Sequence, residues 1–329
     1  METALADVAP PGSRVTVVIP VLNANAHLVR TVPTVLEAAR HTKGVQIIFV
    51  DNGSTDGTLE FLQSVSQANV RVLPTTGMTI SAMRNRGARL GTSKYLSFLD
   101  ADCAIGSTYF EDAIAVLEST GADATGCEYA LPEQPHWLEQ TLHDLHYIGR
   151  DRDVVALNAG NFFITREAFD DVGGFREDLH TGEDSDIGQR LVLAGRRVYE
   201  CTRVQAVHYG NPKSIGAHYR RSVWHGLGMF ATVSRHRIDR PTAMLGVHIL
   251  ATLFGLGLLF GTKAPMAARI LGAVLLQLLV PALTVLYRIA RVRRAPKVVP
   301  AIVLYWVYYW ARIHALVLVL SGRAGGYRK

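Results

Sequence analysis

Near Ala243 the chain changes character, and this break constrains its fold more than any other feature. Up to about residue 240, charged residues and turn formers are mixed with short apolar runs, whereas beyond Ala243 Leu, Val, Ala and Gly dominate. Three apolar stretches follow: Ala243 to Phe260, Ile270 to Tyr287, and Val298 to Leu320. A helix crossing a bilayer needs about 20 residues, with a range of roughly 17 to 25, so each stretch is long enough to span. The first two, joined by the short link Gly261 to Ala268, read as a hairpin with its basic flanks on one side. The positive-inside rule puts those flanks, and the polar domain before them, on the cytosolic face of the inner (plasma) membrane. The third stretch carries Tyr305, Trp306, Tyr308, Tyr309 and Trp310, then Arg312 and His314. It either spans with those last two groups facing protein or lies in the interface as an amphipathic helix.

The formal net charge of +6 follows the same geography. Arg220, Arg221, Arg235, Arg237 and Arg240 precede the first apolar stretch, and Arg288, Arg291, Arg293, Arg294 and Lys297 separate the second from the third. Cations placed this way suit an anionic membrane face, so membrane lipids are expected partners and nucleic acid is not. Cys103, Cys127 and Cys201 lie far apart without zinc-ligand spacing, which indicates neither a disulfide framework nor a structural metal site and fits a reducing cytosol. Met1 to Arg14 has acids and prolines but no apolar core of signal-peptide length, and reads as a disordered lead. The expected division is a lead over 1–14, an α/β domain over 15–240, and a membrane region over 241–329 with two or three apolar helices.

Within the α/β domain, short β-branched runs alternate with helical stretches, as in a mainly parallel sheet with crossover helices. Strands are expected at Val15 to Pro20, Gln46 to Val50, Val70 to Leu73 and Tyr95 to Leu99, each apolar enough to be buried on both faces. Helices are expected at His27 to Arg40, Gly57 to Val65 and Ser81 to Leu90, the last capped by Thr79 or Ser81. Ligands of open α/β sheets gather at the carboxyl ends of strands. Here those ends are acidic. Asp51 closes the second strand and opens the turn Asn52 to Gly57, and Asp100-Ala101-Asp102 follows the fourth. Two carboxylates one residue apart suit Mg2+ or Mn2+ bound to a diphosphate, although an acidic turn or helix cap has the same look. Asp56 reads as a helix cap.

The segments VVIPVLNAN, FVDNGSTDGT, MRNRGARLG and FLDADC, in this order and at these separations, closely resemble the inverting glycosyltransferases of GT-A fold often called family 2. The resemblance runs from about Val15 to Tyr209. It implies a GT-A α/β domain followed by membrane helices, a nucleotide-diphosphate sugar as donor (a UDP-sugar is favoured), and Mn2+ or Mg2+ as cofactor. It also implies roles. Asp51 contacts the nucleotide base, with Pro20, Val21 and Asn23 at the rim of that pocket. Arg84 and Asn85 lie on the helix reaching toward the nucleotide, where a cation beside a diphosphate is physically sensible. Asp100 contacts the ribose, Ala101 lies between the two acids, and Asp102 binds the metal. The acceptor side is formed by Gly173-Gly174-Phe175 and Thr181 to Asp186, with Asp184 as general base and Glu183 as the alternative base. Arg190 either faces the site or balances the acids of its helix. His208, closing a strand from Val204, resembles the histidine that completes metal coordination.

One departure limits the match. Processive members carry QxxRW, and only Arg220-Arg221-Ser222-Val223-Trp224 is found here, so a processive polymerase is disfavoured. Arg220 and Arg221 then read as contacts to a diphosphate or lipid phosphate, or as a solvated basic face. A membrane anchor suggests a lipid-linked acceptor, with a polyprenyl-phosphate glycosyl synthase as one alternative and a non-enzymatic membrane scaffold as another. The scaffold predicts loss of Asp102 or of the Glu183-Asp184 pair, and both are present. A dinucleotide oxidoreductase needs a glycine-rich turn after the first strand, and Val17 to Asn25 contains no glycine.

Overall fold

The computed structural model describes residues 12–179, 181–233, 240–294 and 296–323. Arg235, Arg237 and most of the expected N-terminal lead lie outside the described residues. In chain order the elements are β1 (Val15–Val21), α1 (Asn25–His41), β2 (Val45–Asp51), α2 (Thr58–Ser64), β3 (Val70–Pro74), α3 (Ile80–Arg89), β4 (Tyr95–Leu99), β5 (Cys103–Ile105), α4 (Tyr109–Thr120), β6 (Ala124–Gly126), α5 (Trp137–His146), β7 (Arg152–Asp153), β8 (Asn161–Thr165), α6 (Arg166–Asp171), α7 (Glu183–Leu193), β9 (Val198–Glu200), β10 (Ala206–His208), α8 (Ile215–Val233), α9 (Arg240–Gly261), α10 (Met266–Val292) and α11 (Val298–Leu320). They form two compact units, Met1–Pro132 with Gly149–Gly210, and Glu133–Ile148 with Asn211–Lys329.

The first unit is built on an eight-stranded sheet in the order β3-β2-β1-β4-β8-β6-β9-β7, with β10 and β5 forming a separate antiparallel ribbon. β1, β2, β3 and β4 run parallel, and β8 enters antiparallel beside β4 with Leu99 opposite Asn161. Alternation along the strands buries both faces. Val15, Val17, Ile19, Ile47 and Phe49 pack with Leu28 and Val32 of α1 and Phe110 and Ile114 of α4. Val18, Ile48, Val50, Leu96 and Phe98 point the other way, toward Met83 and Ala88 of α3 and Ile187 and Leu191 of α7. Each such side chain stabilises the fold by roughly 1.5–3 kcal/mol.

Helix α3 is seated unusually close to the sheet. Its first turn is capped by Thr79, whose Oγ1 accepts from the Ala82 N–H at 3.2 Å. A Cβ at Gly87 would stand 2.3 Å from Val18 Cγ1, and one at Gly91 only 2.1 Å from Thr16 Oγ1. Only glycine lets the helix backbone lie that near β1. The side chains preceding Gly87 are thereby carried beneath the carboxyl end of β4.

In the second unit, α9, α10 and α11 are long and apolar enough to cross a membrane, with mean hydropathies of 2.1, 2.2 and 1.5. α9 and α10 form the expected hairpin: Arg240 Nη1 at the start of one donates to Tyr287 Oη near the end of the other at 3.0 Å. α5 joins them, with Leu145 fully buried among Val280, Tyr305 and Tyr309, and the Tyr305 hydroxyl 3.1 Å from His146 Nε2. α8 packs along α11, where Val223 meets Ala311 and Ala315 and His218 Nε2 donates to the Leu304 carbonyl at 3.2 Å. The compositional break near 240 is therefore not the packing boundary, because α5 and α8 belong with the apolar helices. His314 lies against α8, its Nδ1 3.0 Å from the Tyr219 hydroxyl.

Candidate active site

The parallel strands end side by side, Val21 paired with Asp51, and the chain leaves them in a turn stitched by side chains. Asp51 is 1% exposed. Its Oδ2 accepts from the Gly53 and Ser54 N–H groups at 3.1 and 3.2 Å, while its Oδ1 is buried with no hydrogen-bond partner among the described residues. An unmet buried acceptor costs about 1–3 kcal/mol, so a donor from a bound molecule would relieve it. Pro20 and Val21 are buried beside it. Asn23, at φ 49°, accepts from the Thr55 N–H at 2.8 Å and donates its own N–H to Ser54 Oγ at 2.9 Å, fixing the end of β1 to the β2 turn. The N-cap of α2 is Gly57 rather than the expected Asp56, and Asp56, one residue earlier, accepts from the Thr58 N–H at 3.1 Å. The Thr58 hydroxyl, above other causes, holds its carboxyl below the usual range.

Asp100, Ala101 and Asp102 leave the end of β4, and Thr31 of α1 steadies the turn by donating to the Ala101 carbonyl at 2.7 Å. The β5/β10 ribbon sets His208 opposite Cys103, which brings His208 Nε2 to 3.3 Å from Asp102 Oδ2. The ring of Tyr129 stacks on His208 at 4.6 Å. Close approach again depends on glycine: a Cβ at Gly210 would sit 1.8 Å from Asp102 Oδ2, and one at Gly160 2.1 Å from Asp100 Oδ2. Asp102, Cys103 and His208 hold their ligand atoms within 4.8 Å of one another. A carboxylate oxygen and an imidazole nitrogen suit Mn2+ or Mg2+ with a diphosphate completing the shell. Burial, then the Asp100 charge, push the Cys103 thiol well above the ordinary value. Mn2+ and Mg2+ prefer oxygen and imidazole donors to sulfur, so the pair Asp102 and His208 fits the metal better than Cys103 does.

Arg84 connects this side to the other. Its side chain is 1% exposed, with Nη2 donating to Asp100 Oδ1 at 2.7 Å and Nη1 to Glu183 Oε1 at 2.8 Å. One guanidinium thus ties the end of β4 to the first residue of α7. Glu183 is committed to that bond, which leaves Asp184 as the better proton acceptor. Burial first, and then the charge of Glu183, raise the Asp184 pKa above the usual value, a shift that strengthens a general base.

Other expected site residues have structural partners. Asn85 is 6% exposed. Its amide donates to the Phe175 carbonyl at 2.7 Å and accepts from the Phe175 N–H at 2.9 Å. Rather than reaching for nucleotide, Asn85 holds the turn at Gly174, where a Cβ would come 2.8 Å from its Oδ1. Phe175 is 2% exposed and packs edge-on against Phe98 at 5.0 Å, so it is a core side chain. Arg190 binds Asp186 at 2.7 Å and donates to the Val172 carbonyl at 2.6 Å, balancing acids of its own helix. Tyr129, Gly160 and Gly210 escape a sequence reading because nothing local marks them. Their contribution is proximity to residues more than 50 positions away or across a ribbon.

A sequence profile described as Glycosyl transferase family 2 matches residues 16–173, and one described as Glycosyl transferase family group 2 matches residues 95–320. Among curated proteins, the chain is 28% identical over 207 residues to glycosyltransferase AglE of Haloferax volcanii, covering 60% of this chain and 67% of that protein. It is 26% identical over 230 residues to succinoglycan biosynthesis protein ExoA of Rhizobium meliloti, covering 60% and 64%. The chain thus spans about two thirds of the length of these relatives. Among solved structures, mannosyltransferase PcManGT from Pyrobaculum calidifontis, in complex with GDP-Man and Mn2+, gives a TM-score of 0.58 at 16% identity, covering 97% of this chain and 91% of that one. S. aureus TarS 1-349 in complex with UDP gives 0.50 at 15%, covering 92% and 91%. With the second profile taking in more than half of the chain and the sheet sharing the fold of these neighbours, the chain belongs to glycosyl transferase family group 2, among the family 2 glycosyltransferases of GT-A fold, which are enzymes of glycosyl transfer.

Proposed function

We propose that this chain is an inverting, divalent-metal-dependent glycosyltransferase that moves a sugar from a nucleotide-diphosphate donor to a lipid-linked hydroxyl or phosphate acceptor at the cytosolic face of the plasma membrane. The observation that carries the reading is Arg84. Bonded to Asp100 and Glu183 at once, it makes the strand-end acids and the acids of α7 parts of one site. Asp51, with its unmet Oδ1, takes the base of the nucleotide through a ring N–H, and Pro20, Val21 and Asn23 form the rim. Asp100 takes the ribose. A divalent ion, Mn2+ or Mg2+, held by Asp102 and His208 would offset the charge of the departing diphosphate. Asp184 removes the proton of the acceptor hydroxyl as its oxygen attacks the anomeric carbon from the face opposite the leaving group. The GDP-Man and Mn2+ complex of PcManGT and the UDP complex of TarS support the donor class, and a UDP-sugar is favoured.

The basic flanks support the orientation. Arg240, Arg288, Arg291, Arg293, Arg294 and Lys297 all fall at the shared end of α9, α10 and α11, as the positive-inside rule requires of a cytosolic end. The division of labour is tested by calorimetry with UDP and Mn2+ beside a transfer assay. Asp184→Asn keeps donor binding and loses transfer by about 10²–10⁴-fold, while Asp102→Ala weakens the metal-bound donor complex. Equal loss of binding in both variants sinks the assignment.

A further inference from the structure

From residue 201 to the end the chain has one acid, Asp239, against 18 Lys and Arg. Among the described residues, Arg240, Arg291, Arg293, Arg294, Lys297 and Arg323 lie at or just beyond helix ends, where water or lipid head groups can reach them. Arg312 does not. It sits at the fifteenth of the 23 positions of α11, a helix apolar enough to cross a bilayer. Its Nε and Nη1 are buried without a hydrogen-bond partner among the described residues. Its guanidinium lies 4.7 Å above the ring of Tyr308, which steadies the group but supplies no acceptor. The α8 backbone passes close by at Gly226, where a Cβ would stand 3.1 Å from Arg312 Nη1 and 2.6 Å from Ala315 Cβ.

Among the described residues, no carboxylate pairs with this charge. Within the second unit Glu139 caps α5 by accepting from the His136 N–H at 2.8 Å, and Asp144 accepts from Gln140 Nε2 at 2.9 Å. Glu133 is exposed, and Asp239 lies outside the described residues. Burial above all, with the charges of Arg221 and Arg312 adding to it, holds the His218 imidazole below its ordinary pKa. A planar guanidinium with two N–H directions unmet among the described residues, set within an apolar helix, matches the oxygens of a phosphate group. The apolar length of α11 on either side of Arg312 suits a hydrocarbon chain attached to that phosphate.

We infer that Arg312, framed by Tyr308 and Gly226, is a recognition point for the phosphate or diphosphate head of a membrane-embedded lipid. The inference rests on the lipid-linked acceptor read above, and it names the head group of that acceptor class as the part held. The charge of Arg221, felt with that of Arg312 at the His218 ring, adds positive field.

The test uses the full chain purified in detergent and follows its melting temperature with three additions at equal concentration: farnesyl phosphate, farnesol and inorganic phosphate. The wild type gains several degrees with farnesyl phosphate and little with the other two. Arg312→Met removes the gain, Arg312→Lys keeps part of it, and the shift given by UDP with Mn2+ is the same in all three proteins. Without additions, Arg312→Met melts no lower than the wild type, because a buried cation lacking a partner has been removed. An undiminished farnesyl phosphate shift in Arg312→Met overturns the inference, as does an equal shift with farnesol. A full shift with inorganic phosphate alone overturns the lipid half of it. Should Arg312→Met fail to fold, Arg312→Lys decides, with at least tenfold weaker binding expected and unchanged affinity fatal. Loss of the UDP and Mn2+ shift in the wild type would instead remove the donor reading, so the two failures are separable.

Discussion

Arg84 is fully enclosed yet carries its charge, because two carboxylates from opposite sides of the site meet its two terminal nitrogens. Removing one member of a buried ion pair leaves the rest uncompensated, at a cost of about 3–5 kcal/mol. Arg84→Met is therefore expected to lower stability by that order in denaturant melts and to weaken donor binding together with it; a variant as stable as the wild type would mean that Asp100 and Glu183 reach water without it. Asp184 behaves in the opposite sense. Its native pKa is raised, so the unfolded chain ionises first and stability falls as pH rises from the ordinary Asp value of about 3.9 through the native one. Asp184→Asn should lose that slope and melt higher than the wild type above this window, while the wild-type transfer rate rises with pH along a limb whose midpoint lies above about 3.9.

At the scale of elements, the site depends on backbones that come closer than side chains normally allow. The β5/β10 ribbon presents His208 to Asp102, and Gly210 directly after it leaves room for the Asp102 carboxylate. Gly210→Ala would force a methyl group to 1.8 Å from Asp102 Oδ2. Something must move, and the carboxylate is the mobile partner. We expect this variant to retain the fold, with a stability loss of about 1–3 kcal/mol, and to lose most of its Mn2+ affinity in a direct metal titration. Unchanged metal affinity would remove Asp102 from the ligand set. Helix α3 shows the same dependence, since Gly87 and Gly91 lower it onto β1 and so deliver Arg84 and Asn85 to different partners.

At the scale of the whole molecule, the second unit takes a piece from the middle of the first. Residues Glu133–Ile148 leave the α/β unit after β6 and return before β7, carrying α5, whose Leu145 is fully buried among residues of α10 and α11. A chain ending at Gly210 would expose this leucine, losing roughly 1.5–3 kcal/mol of burial and offering an apolar surface for association. Such a truncation is expected to aggregate in size-exclusion chromatography, and Leu145→Glu in the same truncation to recover soluble protein. A soluble, monomeric truncation without that change would show that α5 does not depend on the apolar helices.

The sequence by itself determined the first four strands, because runs such as Tyr95–Leu99 are buried on both faces and read as continuous apolar segments. It also determined the acids at their ends and the three apolar helices, since length and composition alone set whether a helix can lie in a bilayer. Partners were another matter. Arg84 reads as a cation for a diphosphate and Asn85 as a nucleotide contact, but their bonds to Asp100 and Glu183 in one case and to Phe175 in the other appear only in the fold. The pairing of Glu183 with Arg84, the place of Tyr129, and the company of α5 and α8 are likewise decided by contacts between distant residues. Periodicity reports which face of an element is buried, and only the packed structure says against what.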